Sequence, residues 1–352
     1  MINKVEEAGI EDGVEMLEII ESESSGGIIE LVYTRRPNAF ESYKKENKES
    51  KIAIIRDKEG KIAFQAACIP GCYNVDGKSV TAGYVGGIRK RNDYSGVINW
   101  MNVVDFIEKQ GLSIYLCSFL SGNEATEKMF YKKRSFIPEL VPLCNYTTYI
   151  INPKIFKNSL PKGLTFRSIN CDDLENVHQF LRREGMKYNF SPVINNITEF
   201  YGLSLDDCYI LEKRGEILAF GALWNQKGFK QYIVKGYSRT IKMIQKFSFV
   251  SGILGYIEIP EEGKELDFPM LSFFYSLEGN MEYYSCFLNQ IAQIIKKNYK
   301  MFVIGISSDD PADNLYKKIR TINFKSKIYC ADFTEEFYFE LTKSKHIECG
   351  LL

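Results

Sequence analysis

Polar and apolar residues change period several times along the first 150 positions, which predicts a mixture of helices and strands. Apolar residues recur at helical spacing over 12–20, whereas 51–69 reads as two strand-like runs around a turn that ends in Gly60, the pattern of a hairpin. In chain order, the remaining elements predicted for this half are a strand over 80–88, a helix from Val97 to Gly111, a buried strand over 113–119, a helix over 123–136 and a strand over 144–151.

The same order of elements returns in the second half, after a proline-containing stretch without periodicity over 152–163. The predicted elements are a strand over 165–169, a helix over 172–184, a hairpin over 208–224, a helix over 285–299, a strand over 301–307, a helix over 312–319 and a strand over 327–333. Because 352 residues also exceed one comfortable core, we predict two domains, 1–151 and 164–352, joined by the linker 152–163 and each built on its own sheet.

Short identities support the repeat. Ala63-Phe64 matches Ala219-Phe220, and Tyr131-Lys132-Lys133 matches Tyr316-Lys317-Lys318. The offset grows from 156 to 185 residues between these matches, which places about thirty extra residues in an insertion over 225–262.

Composition narrows the class of protein. Apolar residues make up 45% and charged residues 26%, as in an ordinary globular protein, and 45 Lys and Arg balance 45 Asp and Glu. A balanced charge gives no overall attraction to nucleic acid or to an anionic membrane, so we expect neither partner. With no apolar segment at the N-terminus and none long enough to cross a bilayer, we expect a cytoplasmic protein. Nine scattered cysteines and two histidines predict neither a disulfide framework nor a metal site.

A basic loop follows the strand over 80–88. Arg89, Lys90 and Arg91 precede Gly96, which precedes a helix. Backbone N–H groups at a helix N-terminus bind anions, and glycine allows close approach, so this loop is a candidate phosphate site; a solvated basic turn is the alternative. The matching segment of the second copy, 271–284, carries Glu278 and Glu282, and no Lys or Arg lies between 265 and 295. We therefore place an anionic cofactor in the first copy.

The order of elements, together with the segment TAGYVGGIRKRNDYSG, resembles the GNAT superfamily of N-acetyltransferases. That family usually has a Gly-Gly-Val-like strand end followed by Arg-x-x-Gly-x-Gly/Ala. This chain departs from the pattern in either of two registers. With Arg91 as the Arg, Tyr94 stands at the first Gly; with Gly86-Gly87-Ile88 as the strand end, Ser95-Gly96 stands where Arg-Gly would be. The resemblance implies an α/β (α+β) fold of two GNAT-like domains, each a mostly antiparallel central sheet flanked by helices.

The resemblance also implies a site for acetyl-CoA in the first copy. The cofactor-binding residues it indicates are Ile88, Arg89, Lys90, Arg91, Ser95, Gly96, Val97 and Asn123. The backbone N–H of Ile88 would stabilise the oxyanion, and Tyr131 would protonate the leaving thiolate. The alternative role of Asn123 is a helix cap, and the alternative role of Tyr131 is a core residue. Tyr316, with Ala312 and Leu315, fits the family pattern in the second copy. The strand over 80–88 has no carboxylate, so no general base is assigned.

The resulting hypothesis is transfer of an acetyl group from acetyl-CoA to an amine of a small molecule or peptide by direct attack, without a metal. A tRNA-dependent aminoacyl transferase, a group that also pairs two such folds, and a non-catalytic binding protein are the alternatives. Residues 217–257 contain no Asp or Glu and interleave basic with aromatic residues, which suits RNA, although we favour a surface insertion with a short helix over 239–247. The sequence leaves open whether the protein forms a homodimer.

Overall fold

The chain forms a large β-sheet flanked by helices within residues 4–24, 29–122, 139–237, 260–333 and 344–352, which a computed structural model describes. The helices are α1 (Gly13–Glu21), α2 (Ala39–Glu46), α3 (Trp100–Glu108), α4 (Leu174–Gly185), α5 (Met281–Asn298) and α6 (Asp313–Tyr316). The strands are β1 (Val5–Glu7), β2 (Ile29–Thr34), β3 (Lys51–Arg56), β4 (Ile62–Val75), β5 (Lys78–Lys90), β6 (Ile114–Leu120), β7 (Leu140–Ile151), β8 (Thr165–Ser168), β9 (Ser191–Pro192), β10 (Cys208–Lys213), β11 (Glu216–Trp224), β12 (Gln231–Tyr237), β13 (Met270–Ser276), β14 (Phe302–Ser307) and β15 (Thr321–Asp332).

The two halves of the chain repeat one strand order. In the first half β1, β3, β4, β5 and β6 are neighbours, and in the second half β8, β10, β11, β13 and β14 are neighbours. Each set is antiparallel except for its last pair, β5–β6 and β13–β14, which is parallel. The predicted mostly antiparallel sheet is therefore present in both copies.

The expectation of two separate sheets is wrong, because the two sheets join into one. The strand that ends each half crosses to the other half, so that β15 pairs with β6 and β7 pairs with β14. β7 and β15 then pair with each other along most of their length, from Thr321 opposite Ile151 to Ala331 opposite Leu140. The repeat is retained, with its centre between β7 and β15.

Helices cover both faces of the sheet in each half. α1 and α2 pack on one face of the first half through Met16, Ile20 and Tyr43, and α3 packs on the other face through Val103. In the second half α4 and α5 lie on opposite faces in the same way, and they contribute Phe180 and Phe287, respectively, to two different cores. Each half is thus a helix–sheet–helix sandwich that buries two layers of apolar side chains.

Some element boundaries differ from the predicted ones. α3 begins at Trp100 rather than at Val97, and α6 is a single turn rather than a helix over 312–319. The first part of the predicted insertion is not a surface element: Phe229 and Lys230 are buried, and β12 pairs with β2 in a separate two-stranded sheet. The predicted short helix over 239–247 lies outside the described residues. Among the described helices, none combines the length and the apolar character that a membrane span requires.

Candidate functional site

A gap opens in the first half of the sheet between β5 and β6. The two strands pair only from Ala82 opposite Ile114 to Tyr84 opposite Leu116, although β5 continues to Lys90 and β6 to Leu120. At the start of the gap the Tyr84 and Ser118 hydroxyls lie 2.7 Å apart and bridge the two strands. None of the described strands pairs with the diverging part of β5 on this side, so a ligand could enter between β5 and β6 here.

A β-bulge lies in β5 beside this gap. Gly86 pairs with Ala67 and Arg89 pairs with Gln65, so Ala66 faces both Gly87 and Ile88. Gly87 has φ +61°, and a Cβ atom there would lie 2.0 Å from the Tyr43 hydroxyl oxygen. Both the backbone angle and the close contact require glycine. The bulge turns the Ile88 side chain towards the face of the sheet that carries α3.

An apolar cavity of about 70 Å³ lies on that face and is partly open to solvent. Its walls come from α3, from the two diverging strands and from the two exchanged strands. The described lining residues are Ala66, Val85, Ile88, Trp100, Val103, Val104, Ile107, Tyr115, Leu116, Cys117, Phe119, Leu140, Ala331 and Phe333. The Tyr115 hydroxyl donates to the Ile107 carbonyl at 2.7 Å, and burial raises the pKa of the Cys117 thiol to about 12, so both residues present neutral groups. The wall suits an apolar ligand.

The three basic residues of the predicted phosphate loop have different environments. Arg91 is held by Asp57 at 2.6 Å and Asp93 at 2.5 Å, and it also donates to the Ile62 carbonyl at 2.9 Å. The hydrogen bond from Arg91 lowers the pKa of the Asp57 carboxyl group, so this pair stays charged. Arg89 lies 3.3 Å from Glu23. Lys90 is exposed, with its ammonium 5.4 Å from the centre of the Tyr94 ring. The pairing of Arg91 leaves Arg89 and Lys90 as the better candidates for contact with an anion.

The remaining residues of this loop lead into α3. Ser95 is exposed, Val97 is 85% exposed, and Gly96 lies against the Tyr94 ring. Asn99 is the N-cap residue of α3, but its side chain makes no capping hydrogen bond. Since α3 begins three residues after Val97 and lines the cavity, the loop connects the bulge of β5 to the helix on the far wall of the cavity.

Two predicted catalytic or binding residues, Tyr131 and Asn123, lie outside the described residues. The residue matched to Tyr131 in the second half, Tyr316, is fully buried. Its hydroxyl lies 2.8 Å from the Tyr284 hydroxyl, and its ring stacks on Tyr149 at 5.3 Å. Tyr316 is therefore a core residue here, and the expectation that it could face a thiolate finds no support in its surroundings.

The second half has a matching bulge and gap between strands, but side chains of the protein itself occupy them. β13 pairs with β14 only at Met270, and Phe273, with φ +53°, lies in a bulge opposite Gly221. The Phe273 N–H donates to the Glu348 carboxylate at 2.6 Å. The Phe287 ring fills the space beside Gly221, where a Cβ atom would lie 2.9 Å from it. The backbone donor at this bulge is thus already bound.

The loop of the second half is also satisfied internally. The Asn280 side chain caps α5 by accepting from the N–H groups of Glu282 and Tyr283. The Glu278 N–H donates to the buried Glu184 carboxylate at 2.9 Å. One carboxylate and one capping amide therefore already accept from backbone N–H groups that an anion would need, in line with the acidic sequence of this segment.

A buried group of charges lies under α2, on the face opposite the cavity. Glu46 binds the Arg35 guanidinium at 2.8 Å and the Lys230 ammonium at 2.5 Å, and all three side chains are at most 4% exposed. The side chains of Tyr43 and Gln65, on the same face, carry buried polar atoms without a hydrogen bond of normal geometry to the described residues. The sequence does not predict this group, because Glu46 and Arg35 lie 184 and 195 residues before Lys230 and no local pattern links them.

Both histidines make contacts within the protein core or with backbone groups. His178 accepts a hydrogen bond from the Ile197 N–H at 3.2 Å, and His346 stacks on Tyr275 at 4.3 Å. Burial lowers the pKa of His346 to about 4, so it is neutral at pH 7. All nine cysteines are free thiols. In the described ranges, no three His, Cys, Asp or Glu side chains come together as a metal site would require.

Comparison with known proteins identifies the fold. No family model and no curated protein matches the sequence. Among solved structures, Saccharomyces cerevisiae N-myristoyltransferase with bound myristoyl-CoA superposes with a TM-score of 0.56 at 13% identity, over 94% of this chain and 83% of that one. A GCN5-related N-acetyltransferase from Anabaena variabilis gives a TM-score of 0.52 at 12% identity, over 92% of this chain and 72% of that one. This chain has a two-copy GNAT fold.

A third structural neighbour is a conserved protein of unknown function from Enterococcus faecalis V583, described as a probable N-acyltransferase. It gives a TM-score of 0.53 at 9% identity, over 94% of this chain and 72% of that one. At these identities the likeness establishes the fold alone. The fold predicted from the sequence is confirmed, and the assignment of individual site residues stays a prediction.

Proposed function

We propose that this GNAT-fold protein is an N-acyltransferase that takes an acyl group from a CoA thioester and passes it to an amine by direct attack. The gap between β5 and β6, with the Gly87 bulge and the apolar cavity beside it, is the observation that supports this proposal. Acetyl-CoA, the donor that the family resemblance implies, is the first to test. The neighbours described as N-acyltransferases agree with the proposal.

The first half is the better candidate for the donor site. Its bulge carries a glycine at the point of closest approach, whereas the matching Phe273 N–H is bound by Glu348. Its loop carries Arg89 and Lys90, whereas the loop of the second half carries glutamates. A site for a CoA diphosphate needs donors and positive charge rather than carboxylates.

The residues of this site would act on the reacting carbonyl as follows. The Ile88 backbone N–H, in the diverging part of β5, would donate to the carbonyl oxygen as it gains negative charge. A neutral amine would attack the carbonyl carbon, the bond to sulfur would break, and the Tyr131 hydroxyl would protonate the thiolate that leaves. The amine proton would pass to solvent or to a base that the described residues do not identify.

Thiol release tests this function. Purified protein, acetyl-CoA and a panel of primary amines should yield free CoA thiol at a rate that depends on protein and on amine. The double variant Arg89→Glu/Lys90→Glu should weaken CoA binding at least about tenfold by calorimetry, because it places two negative charges at an anion site. Arg91 is left intact, since its pairs with Asp57 and Asp93 hold the turn.

Lys213→Glu is the matched control, because Lys213 is an exposed lysine at the end of β10 in the second half. It should leave CoA affinity unchanged. Equal CoA affinity in the double variant and the wild type would reject the first half as the donor site. Absence of CoA binding by the wild-type protein would reject the function.

A further inference from the structure

The segment 344–352 lies across the middle of the sheet and contacts both halves. The Ser307 hydroxyl on β14 donates to the Lys345 carbonyl at 2.6 Å, and the Tyr146 hydroxyl on β7 donates to the Ile347 carbonyl at 2.9 Å. The Ile347 side chain packs into the apolar core under α1 and α2 of the first half. This segment is therefore placed to connect the two halves.

Glu348 fixes the segment at the bulge of β13 in the second half. One of its carboxyl oxygens accepts from the Phe273 N–H at 2.6 Å, and the other accepts from the Gly350 N–H at 3.0 Å. The residue is only 5% exposed. A Cβ atom on Gly350 would lie 2.7 Å from the Trp224 ring, so the backbone there has little room to shift. Both carboxyl oxygens thus set where Gly350 lies.

The contacts continue from Gly350 to α2 of the first half. The Gly350 carbonyl accepts from the Gln226 side-chain amide at 2.7 Å and from the Lys230 ammonium at 3.3 Å. Lys230 binds Glu46 at 2.5 Å, and Glu46 binds Arg35 at 2.8 Å. The position of Gly350 therefore helps to set the position of the buried charge group.

This charge group contacts the Gly87 bulge through α2. The Arg35 guanidinium carbon lies 3.7 Å from the centre of the Tyr43 ring, and the Tyr43 hydroxyl fills the place of a Gly87 side chain. The next residue, Ile88, carries the N–H that would stabilise the oxyanion. A continuous run of contacts thus leads from the bulge of the second half to the bulge of the first.

We propose that Glu348 is a positioning residue for acyl transfer in the first half. By fixing the segment 344–352 it holds Lys230 against Glu46, and this contact keeps Tyr43 against Gly87 and the neighbouring N–H aimed at the reacting carbonyl. The second half then serves the reaction through this segment rather than as a donor site. This role rests on the function proposed above, whereas the run of contacts can be measured without it.

Glu348→Gln tests the positioning role. Glutamine keeps the shape of the side chain but has one acceptor oxygen instead of two, so its amide group faces either the Phe273 or the Gly350 N–H. Thiol release per folded molecule should fall about twofold to thirtyfold, a size typical of effects carried by such networks, while CoA affinity by calorimetry stays within about twofold. Glu216→Gln, at an exposed glutamate that begins β11, is the matched control and should change neither.

Two results would overturn this role. One is a turnover of Glu348→Gln less than twofold below that of the wild type, and the other is an equal loss of turnover and CoA affinity, which would indicate a structural effect only. Absence of thiol release by the wild-type protein would overturn the proposed function, and the positioning role with it. If Glu348→Gln does not fold, Gln226→Met breaks the run at its next contact, and the same results are expected of it.

Hydrogen exchange measures the run of contacts independently of activity. In Glu348→Gln the amides of α2 and of 82–90 should exchange at least about threefold faster than in the wild type. The amides of α3, which lies in the same half but outside the run, should exchange as in the wild type. Unchanged exchange in α2 and 82–90, or an equal increase in α3, would overturn the run of contacts as the link between the halves.

Discussion

Glu46→Gln should destabilise the protein strongly, although it changes a single atom. The Glu46 carboxylate on α2 binds Arg35, 2.8 Å away, and Lys230, 2.5 Å away, and Lys230 comes from the second half. Each contact is worth about 6 kcal/mol of Coulomb energy at an effective dielectric constant near 20, against a desolvation cost of several kcal/mol per ion. The amide leaves two buried cations without a counter-ion, which typically costs about 3–5 kcal/mol.

Urea unfolding measures this cost, and a surface pair provides the control. Lys51 and Glu7 lie 2.8 Å apart but are 39% and 47% exposed, so Glu7→Gln should cost less than about 1 kcal/mol. Burial alone would raise the pKa of Glu46, but the charges of Lys230 and Arg35 outweigh burial and hold that pKa below its ordinary value. The contribution of Glu46 is therefore present above about pH 4.5 and lost as the pH falls through the lowered pKa.

A double variant completes the cycle. Glu46→Gln/Lys230→Met removes one cation with the anion and should recover part of the loss. A cost below about 1 kcal/mol for Glu46→Gln, equal to that of Glu7→Gln, would refute the account of a buried charge group that ties the two halves together.

Two further variants test the bulge and the acid. Gly87→Ala should lower stability by about 1–3 kcal/mol and slow acyl transfer, because φ +61° and the Tyr43 hydroxyl leave no room for a Cβ atom. The control is Gly60→Ala, at φ +83° with no atom near the new Cβ. It should cost only about 1 kcal/mol of stability and leave turnover unchanged. Tyr131→Phe should lower turnover about a hundredfold or more without weakening CoA binding. Tyr316→Phe is the control and should alter stability alone. Equal turnover of the wild type and Tyr131→Phe would reject Tyr131 as the general acid.

Local pattern predicted most of the elements, because each depends on neighbouring residues. The period of apolar positions placed α1, the β3–β4 hairpin and β5 within a few residues, and the repeated order indicated two copies. The exchange of β7 and β15 was missed. Both strands are rich in the β-branched and aromatic residues that suit any strand, so nothing in either sequence selects its partner, and only the assembled sheet does.

The site was predicted in part. The basic loop and Ile88 follow from their position between a strand and a helix. The cavity depends on the divergence of β5 from β6, which no local pattern encodes. One signal was available, since a Gly-Gly pair inside a strand indicates a bulge, and Gly87 is where the bulge lies.

The location of a bound donor tests the central claim most directly. A crystal structure with a non-hydrolysable thioether analogue of acetyl-CoA would show which half of the sheet binds it. The account predicts the sulfur between β5 and β6 beside Ile88, with the diphosphate beside Arg89 and Lys90. Density between β13 and β14 beside Phe273, with the first-half cavity empty, would contradict it.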